Sequence, residues 1–523
     1  MAGLYSDQGR YEEAEPLYLQ ALALRKRLLG DNHPDVATSL HNLAYLYKSQ
    51  GRYNKAEPLC LQALELNKRL LGNNHPSVAM SRQNLAGLYS EQGRYNEAES
   101  LYRQALELNK RLLGDNHLAV ATSLNNLAVL YSKQGRYNKA EPLFLQALAL
   151  RKRLLGDHHP DVATTLNNLA GLYSEQGRYN EAEPLYRQAL ALRKRLLGDH
   201  HPDVATTLHN LAGLYKDQGR YNEAEPLYRQ ALALRKRLLG DHHPDVATTL
   251  NNLAALYSKQ GRYEEAEPLY RQALALRQSL LGDNHPDVAS SLHNLAGLYK
   301  DQGRYNEAEP LYRQALALYK RLFGDHHPDV ATTLNNLAAL YDAQARYEEA
   351  EHLYLQALEL YKRLLGDHHP DVATTLNNLA TLYSKQARYE EAEPLYLQAL
   401  ELKKRLLGDN HLDVAGCLNN LAGLYKSQGR YKQAEPLYLQ ALELSKRLLG
   451  ENHPDVAMSL NNLAVLYYAQ ERYEQAETMY LQAVEIAERM LGSNHPNTVI
   501  FRENLQILRS DRAQRTNEGE FTS

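Results

Sequence analysis

Twelve histidines return along this chain every 42 residues: His33, His75, His117, His159, His201, His243, His285, His327, His369, His411, His453 and His495. Imidazole can bind a metal, move a proton or hold a neighbouring N–H, and several of these residues follow a second histidine, as in His158-His159. A metal site needs three or four ligands converging on one point. Side chains repeated along a stack of helices are instead separated by about 8–10 Å per layer, so the spacing predicts capping or packing groups and no bound metal. The sequence contains no phosphate-binding loop, nucleophile elbow or His-Glu-x-x-His pair. Catalysis would need residues that do not recur, and almost everything here recurs, so neither enzymatic activity nor a cofactor is expected. Basic clusters such as Arg193-Lys194-Arg195 raise the question of nucleic acid. They close segments that open on acidic residues, here Glu181 and Glu183, which is the charge pattern of a helix with solvated ends.

The unit that carries these groups is a repeat. Residues 156–197 read GDHHPDVATTLNNLAGLYSEQGRYNEAEPLYRQALALRKRLL, and residues 198–239 repeat them with three changes: Asn167 becomes His209, Ser174 becomes Lys216 and Glu175 becomes Asp217. A fixed period between 20 and 50 residues marks a solenoid whose units contact only their neighbours. Val162, Leu166, Leu169, Ala170 and Tyr173 keep helical spacing, and Ala182, Leu185, Tyr186, Ala189, Leu192 and Leu196 keep it again. Between these runs, Gln176-Gly177-Arg178 offers a Gly able to take positive φ and end a helix. Between copies, Gly198 ends one helix and Pro202 opens the next. Each copy is therefore predicted to be a helical hairpin. Twelve hairpin turns are expected, at Gly9, Gly51, Gly93, Gly135, Gly177, Gly219, Gly261, Gly303, Ala345, Ala387, Gly429 and Glu471. The array should span residues 1–509 and end in a lone helix over about 497–509. The polar tail 510–523 carries too little apolar surface to order itself. Met1 aligns with Leu43 and Leu85, so the first helix lacks its opening two turns, as in a frayed hairpin or a piece of a longer protein.

Composition narrows the function classes. With 59 basic and 62 acidic residues the formal charge is -3, which draws the chain to neither nucleic acid nor an anionic membrane. Cys60 and Cys417 are the only cysteines and stand in different slots of the repeat, so no disulfide framework is expected. No apolar run approaches membrane-spanning length and no signal-peptide core is present. A soluble, cytoplasmic protein is expected.

The run Leu169-Ala170-x-x-Tyr173-x-x-x-Gly177-x-Tyr179-x-x-Ala182-x-x-x-Tyr186-x-x-Ala189 resembles the tetratricopeptide repeat. The 42-residue period, with its Asn-Asn-Leu-Ala and Gly-Asp-x-His-Pro-Asp-Val-Ala runs, is similar to the kinesin light chain subclass. No heptad-patterned coiled coil stands ahead of the repeats in this sequence. The resemblance covers about residues 1–509. It implies an all-α, right-handed superhelical solenoid that serves as a non-enzymatic scaffold for a protein or peptide partner. A second reading is a sensor or regulatory segment of a larger signalling ATPase or protease.

Thr164, Asn168, Gly171 and Glu175 form a stripe opposite the apolar face of the first helix, flanked by Asn167 and Ser174. The resemblance implies that this stripe lines a concave, peptide-accepting groove. Its central slot is Asn in every full copy: Asn42, Asn84, Asn126, Asn168, Asn210, Asn252, Asn294, Asn336, Asn378, Asn420 and Asn462. A ladder of carboxamides could bond a peptide backbone without reading its side chains, or satisfy neighbouring helices inside the array. The preceding slot varies among His41, Asn125, Asn167, His209, Asn251 and His293, with Gln83 as an exception, and Ser174, Glu175, Lys216 and Asp217 vary beside it. These are the candidate specificity residues. Gly171 and its equivalents stand inside a helix where Gly costs about 1 kcal/mol against Ala, which suggests a close approach at that point.

Overall fold

The computed structural model describes the backbone of residues 1–521 and the side chains of residues 1–514. Each hairpin after the first pairs a 16-residue helix A with a 19-residue helix B, as in Pro160–Glu175 and Tyr179–Leu197. Helix A starts where the recurring histidine caps it. His159 Nδ1 accepts the Asp161 N–H at 3.1 Å, while Pro160 at the first helical position has no N–H to satisfy. The same bond opens helix A at every joint from His33 to His495. Helix A stops at Gln176, and Gly177 takes φ 66° so that the Arg178 N–H reaches the Tyr173 carbonyl at 2.8 Å. Ala345, Ala387 and Glu471 adopt the same left-handed turn at φ 58°, 57° and 61°. The twelve expected turns are thus all present.

The first helix A is short, Ala2–Asp7, and the closing helix is long, Pro496–Phe521. That helix continues through most of the segment expected to be an unordered tail. Arg509 Nε reaches Glu477 at 2.8 Å, Arg512 reaches the same carboxylate at 3.3 Å, and Tyr468 bonds Asp511, so polar contacts dock the helix as far as Arg512 where apolar surface is scarce. Residues 522–523 of that tail lie outside the described residues.

Packing follows small residues. Ala163, Ala170, Ala182 and Ala189 are fully buried and let helices approach, while Leu166, Leu172 and Tyr186 fill the space between them. Helices A touch one another across neighbouring repeats, as Pro202–Asp217 does Pro244–Lys259, so they form the inner side of the curve. Helices B lie outside.

Each junction between hairpins carries a polar clamp. Glu183 accepts the Tyr215 hydroxyl at 2.9 Å and Arg220 at 2.7 Å, and the Arg220 guanidinium stacks 4.0 Å above the Tyr215 ring. The set recurs from Glu15, Tyr47 and Arg52 to Glu393, Tyr425 and Arg430. At Glu267 burial opposes ionisation, yet the bonds from Arg304 and Tyr299 win and hold the carboxyl at about 2.

The basic clusters are not wholly solvated, contrary to the sequence reading. Arg193 is 5% exposed and bonds the Thr207 hydroxyl at 2.6 Å and the Asp203 carbonyl at 3.1 Å. It stands one helical turn after the buried Ala189, on the same face, and so enters the junction, whereas Lys194 pairs with Asp199 at the surface. Arg237, last in the equivalent cluster, bonds His200, and at other joints the same arginine bonds an Asn in that place, as Arg153 does Asn116.

The array does not confine its contacts to neighbours. His243 Nε2 donates to the Asp7 carbonyl at 3.1 Å, His285 to Ser49 at 3.2 Å and His327 to Glu91 at 3.3 Å. The offset of 236 residues lies between five and six repeats, so the superhelix returns onto itself after that many hairpins.

Replacing Glu183 with Ala should leave the buried Tyr215 and the half-buried Arg220 without their shared acceptor and cost about 1–3 kcal/mol. Hydrogen exchange should show the loss confined to the two hairpins that flank this junction.

Candidate functional site

The expected stripe lies on the inner helices, and its amides are first of all bonded to one another. Asn168 Nδ2 donates to Asn125 Oδ1 at 3.2 Å, Asn210 to Asn167 at 3.2 Å, Asn294 to Asn251 at 3.1 Å, and Asn378 and Asn420 continue the pattern. Asn252 and Asn336 donate to Nε2 of His209 and His293, each at 2.7 Å. The central slot of one repeat is therefore tied to the variable slot of the repeat before it. Where the variable side chain reaches forward to a serine, the ladder is broken. His41 bonds Ser81 at 2.8 Å, Gln83 bonds Ser123 at 2.7 Å and Asn419 bonds Ser459 at 3.2 Å. Asn84, Asn126 and Asn462, the residues those side chains would otherwise accept from, make no ladder bond among the described residues.

The central amides keep an edge toward solvent. Asn42, Asn84 and Asn420 are exposed, and Asn126, Asn168, Asn210, Asn252, Asn294, Asn336, Asn378 and Asn462 are half-buried. A hollow of about 390 Å³ is bounded by His41, Asn42, Tyr45, Gln83 and Asn84. A second, of about 280 Å³, is bounded by Asn167, Asn168, Asn210, Gly171 and Glu175. Ser174 is half-buried beside it, and Glu175 accepts a bond from Ser132 of the preceding repeat. Lys216 and Asp217 are the equivalents of Ser174 and Glu175 in the next repeat. They pair at 3.3 Å and border a cleft of about 570 Å³ between superhelical turns, with Tyr221, His453 and Asp455. Lys216 also lies near His209 of the inner row, so the last turn of helix A borders both the inner face and this cleft.

The close approach at Gly171 comes from within the hairpin. A Cβ there would stand 3.4 Å from the Tyr186 hydroxyl, and Gly87, Gly213, Gly297 and Gly423 face Tyr102, Tyr228, Tyr312 and Tyr438 in the same way. The register, i, i+15, is one that sequence reading missed, and it admits several sizes: Ala255 stands opposite Tyr270, Val465 opposite Tyr480, Val129 opposite Phe144 and Tyr45 opposite Cys60. At Thr381 the Tyr396 hydroxyl bonds the threonine at 2.9 Å.

The buried variable residues also differ in charge behaviour. Burial, with Arg235 and Lys216 nearby, pushes the His209 imidazole down to about 3, and burial alone pushes His41 down to about 4. His209 Nδ1 has no partner, so the ring is held neutral with one N–H unsatisfied. Cys60 and Cys417 are free and buried, and burial raises each thiol to about 11. Among the described residues no three His, Cys, Asp or Glu side chains come together to hold a metal, and no helix is long and apolar enough to cross a membrane.

Stacked antiparallel hairpins of fixed length, clamped repeat to repeat and presenting one helix of each pair inward, define a helical-repeat protein. The tetratricopeptide repeat family profile matches residues 1–59, 42–111, 84–153, 119–195, 161–237, 203–279, 245–321, 287–363, 343–405, 371–447 and 413–489, and the chain belongs to that family. Among solved structures it is similar to a putative kinesin light chain with nearly identical repeats from Podosopora anserina, at 29% identity and TM-score 0.33, over 39% of this chain and 97% of that one. It is also similar to BtubC (BKLC) from P. vanneervenii, at 28% identity and TM-score 0.35, over 47% of this chain and 92% of that one. A Rap protein complexed with competence and sporulation factor is 14% identical, with TM-score 0.47, over 79% of this chain and 98% of that one. No curated protein matches the chain.

Two outcomes follow from this geometry. Changing Gly171 to Ala should be accommodated, as Ala255 is opposite Tyr270, and should stabilise the hairpin by up to about 1 kcal/mol through the helix preference for Ala. Thermal unfolding of the single variant checks this. The second outcome concerns pH. Because His209 titrates far below the 6.5 of an unfolded histidine, the unfolded state takes up its proton first, so stability falls as pH drops below 6.5 toward the folded value. His209→Asn, which keeps an acceptor for Asn252, should flatten the decline by up to about 1.4 kcal/mol per pH unit between pH 6 and 4. Unfolding of both proteins across that range measures it.

Proposed function

We propose that the protein is a non-enzymatic interaction scaffold whose inner face holds an extended peptide or a segment of a partner protein. The observation that carries this reading is the row of half-exposed carboxamides on helices A, with hollows at Asn42 and Asn84 and at Asn168 and Asn210. Each ladder amide spends one N–H on the neighbouring repeat and keeps its other edge for a ligand. A peptide backbone, with alternating donors and acceptors, suits such a row better than a phosphate backbone, because the inner slots carry amides where a nucleic-acid groove would carry cations. Among the variable residues, His41 turns to the serine ahead while Asn125, Asn167, His209, Asn251 and His293 accept the ladder bond, and this difference sets the local shape of the row. The two buried thiols suit a reducing, cytoplasmic setting.

The two kinds of Asn separate binding from packing. Peptides selected from a random phage-displayed library should lose affinity when Asn84, Asn126 and Asn462 are changed to Ala, by about 0.5–1.5 kcal/mol for each bond lost, with little change in melting temperature. The same change at Asn168, Asn210 and Asn294 should lower the melting temperature. A selected peptide whose affinity ignores all six substitutions would refute the groove.

A further inference from the structure

The joint histidines have two nitrogens and the cap uses one. Nδ1 accepts the N–H two residues ahead, so Nε2 carries the proton and must find its own acceptor or water. At His243, His285 and His327 that acceptor is a carbonyl one superhelical turn earlier, just before Gly9, Gly51 and Gly93. The glycines of these turns lie directly under the joint above. A Cβ on Gly9 would stand 2.7 Å from Pro244, on Gly51 2.7 Å from Pro286, on Gly93 2.8 Å from His327 and on Gly135 2.7 Å from Pro370. Gly177, Gly219 and Gly261 face His411, His453 and His495 in the same manner. The Tyr53 and Phe323 rings meet across the same boundary with centroids 5.6 Å apart.

The residue at each turn tracks this contact. All twelve turns share a left-handed φ between 57° and 72°, so backbone conformation alone asks the same of each. The seven turns with a joint above them are all Gly. Gly303 and Gly429 have nothing within 4 Å of a Cβ, and in that last group of five turns Ala345, Ala387 and Glu471 have replaced Gly. The joints divide likewise. His243, His285, His327, His369, His411 and His453 are buried at 5–8% exposure, and His495, at the end of the array, is half-buried over Gly261. With no turn to rest on, His33, His75, His159 and His201 are half-buried and His117 is exposed.

We propose that the first seven hairpin turns and the last seven joints form an intramolecular seam that holds the superhelix closed, turn upon turn, and that parting this seam lengthens the coil. The seam is a conformational device independent of the groove assignment. Only its consequence, that the pitch governs how a partner reaches the inner helices, rests on that reading.

The test uses the full chain without a ligand. Gly93→Ala with Gly135→Ala is compared with Gly303→Ala with Gly429→Ala, pairs whose φ values of 71° and 64° against 72° and 71° impose nearly the same backbone strain. The covered pair should raise the radius of gyration in small-angle scattering and melt lower than the uncovered pair by about 2 °C or more. His285→Ala against His75→Ala repeats the comparison by removing atoms, since both lose the same cap and only His285 spans the seam. It decides the matter if the covered glycine variant does not fold. Equal radii and equal melting temperatures within the pairs would overturn the seam.

Discussion

A carboxylate on one hairpin that holds a phenol and a guanidinium from the next is the contact on which the shape of this molecule depends. Glu183, Tyr215 and Arg220 stand on the start of helix B, the end of helix A and the hairpin turn, three backbone points that together define how one hairpin is rotated on another. Arg220 is also pinned by Glu223 at 2.7 Å and by Gln218 at 2.9 Å, so its fork has little freedom to accommodate another angle. The clamp adds no unusual energy, being partly exposed and screened. Its importance lies in sameness: one rotation applied at every junction winds a regular superhelix. Seven contacts at an offset near 236 residues can fall in register only if each junction turns by the same amount.

That regularity changes how the polar inner face is to be read. An asparagine repeated at one position suggests a ligand, yet one of its N–H groups is already given to the adjacent repeat, where leaving a half-buried amide unpaired would cost about as much as a hydrogen bond gains. The glycine beside it suggests the same, yet what a Cβ there would meet is a tyrosine hydroxyl inside the hairpin. Packing therefore accounts for why these residues recur, and recurrence alone is no argument for binding. What remains for a partner is the outward edge of each amide, which the ladder leaves open, and the places where the ladder breaks. Binding and packing are properties of different atoms of one side chain.

Sequence periodicity makes the hairpins, turns and caps legible because each is decided within about ten residues. Gly177 ends a helix, Pro160 opens one, and the spacing of Leu166, Leu169 and Tyr173 names the buried face. Periodicity fails where adjacent residues divide their roles. Arg193, Lys194 and Arg195 form one basic run, but a helix turns about 100° per residue, and only Arg193 enters the junction to meet Thr207 fourteen positions later. Variability groups Lys216 and Asp217 with the inner stripe, and periodicity gives no sign that this last turn of helix A also borders a cleft with Asp455, more than five repeats away.

The contacts between superhelical turns are hidden for a different reason. Every joint needs histidine for its cap, so its second use in the later joints leaves no mark on the histidine itself. Every turn favours glycine for its φ, so a glycine pressed from above looks like one that is not. The constraint shows only where it lapses. Ala345, Ala387 and Glu471 accept the same left-handed backbone as Gly93, which proves that φ tolerates a side chain in this turn. Their confinement to the turns without a neighbour above means that space, not backbone conformation, keeps the first seven as glycine. In an array of near-copies the departures from the pattern locate the long-range contacts, because local requirements are met alike in every copy and cannot distinguish one end of the coil from the other.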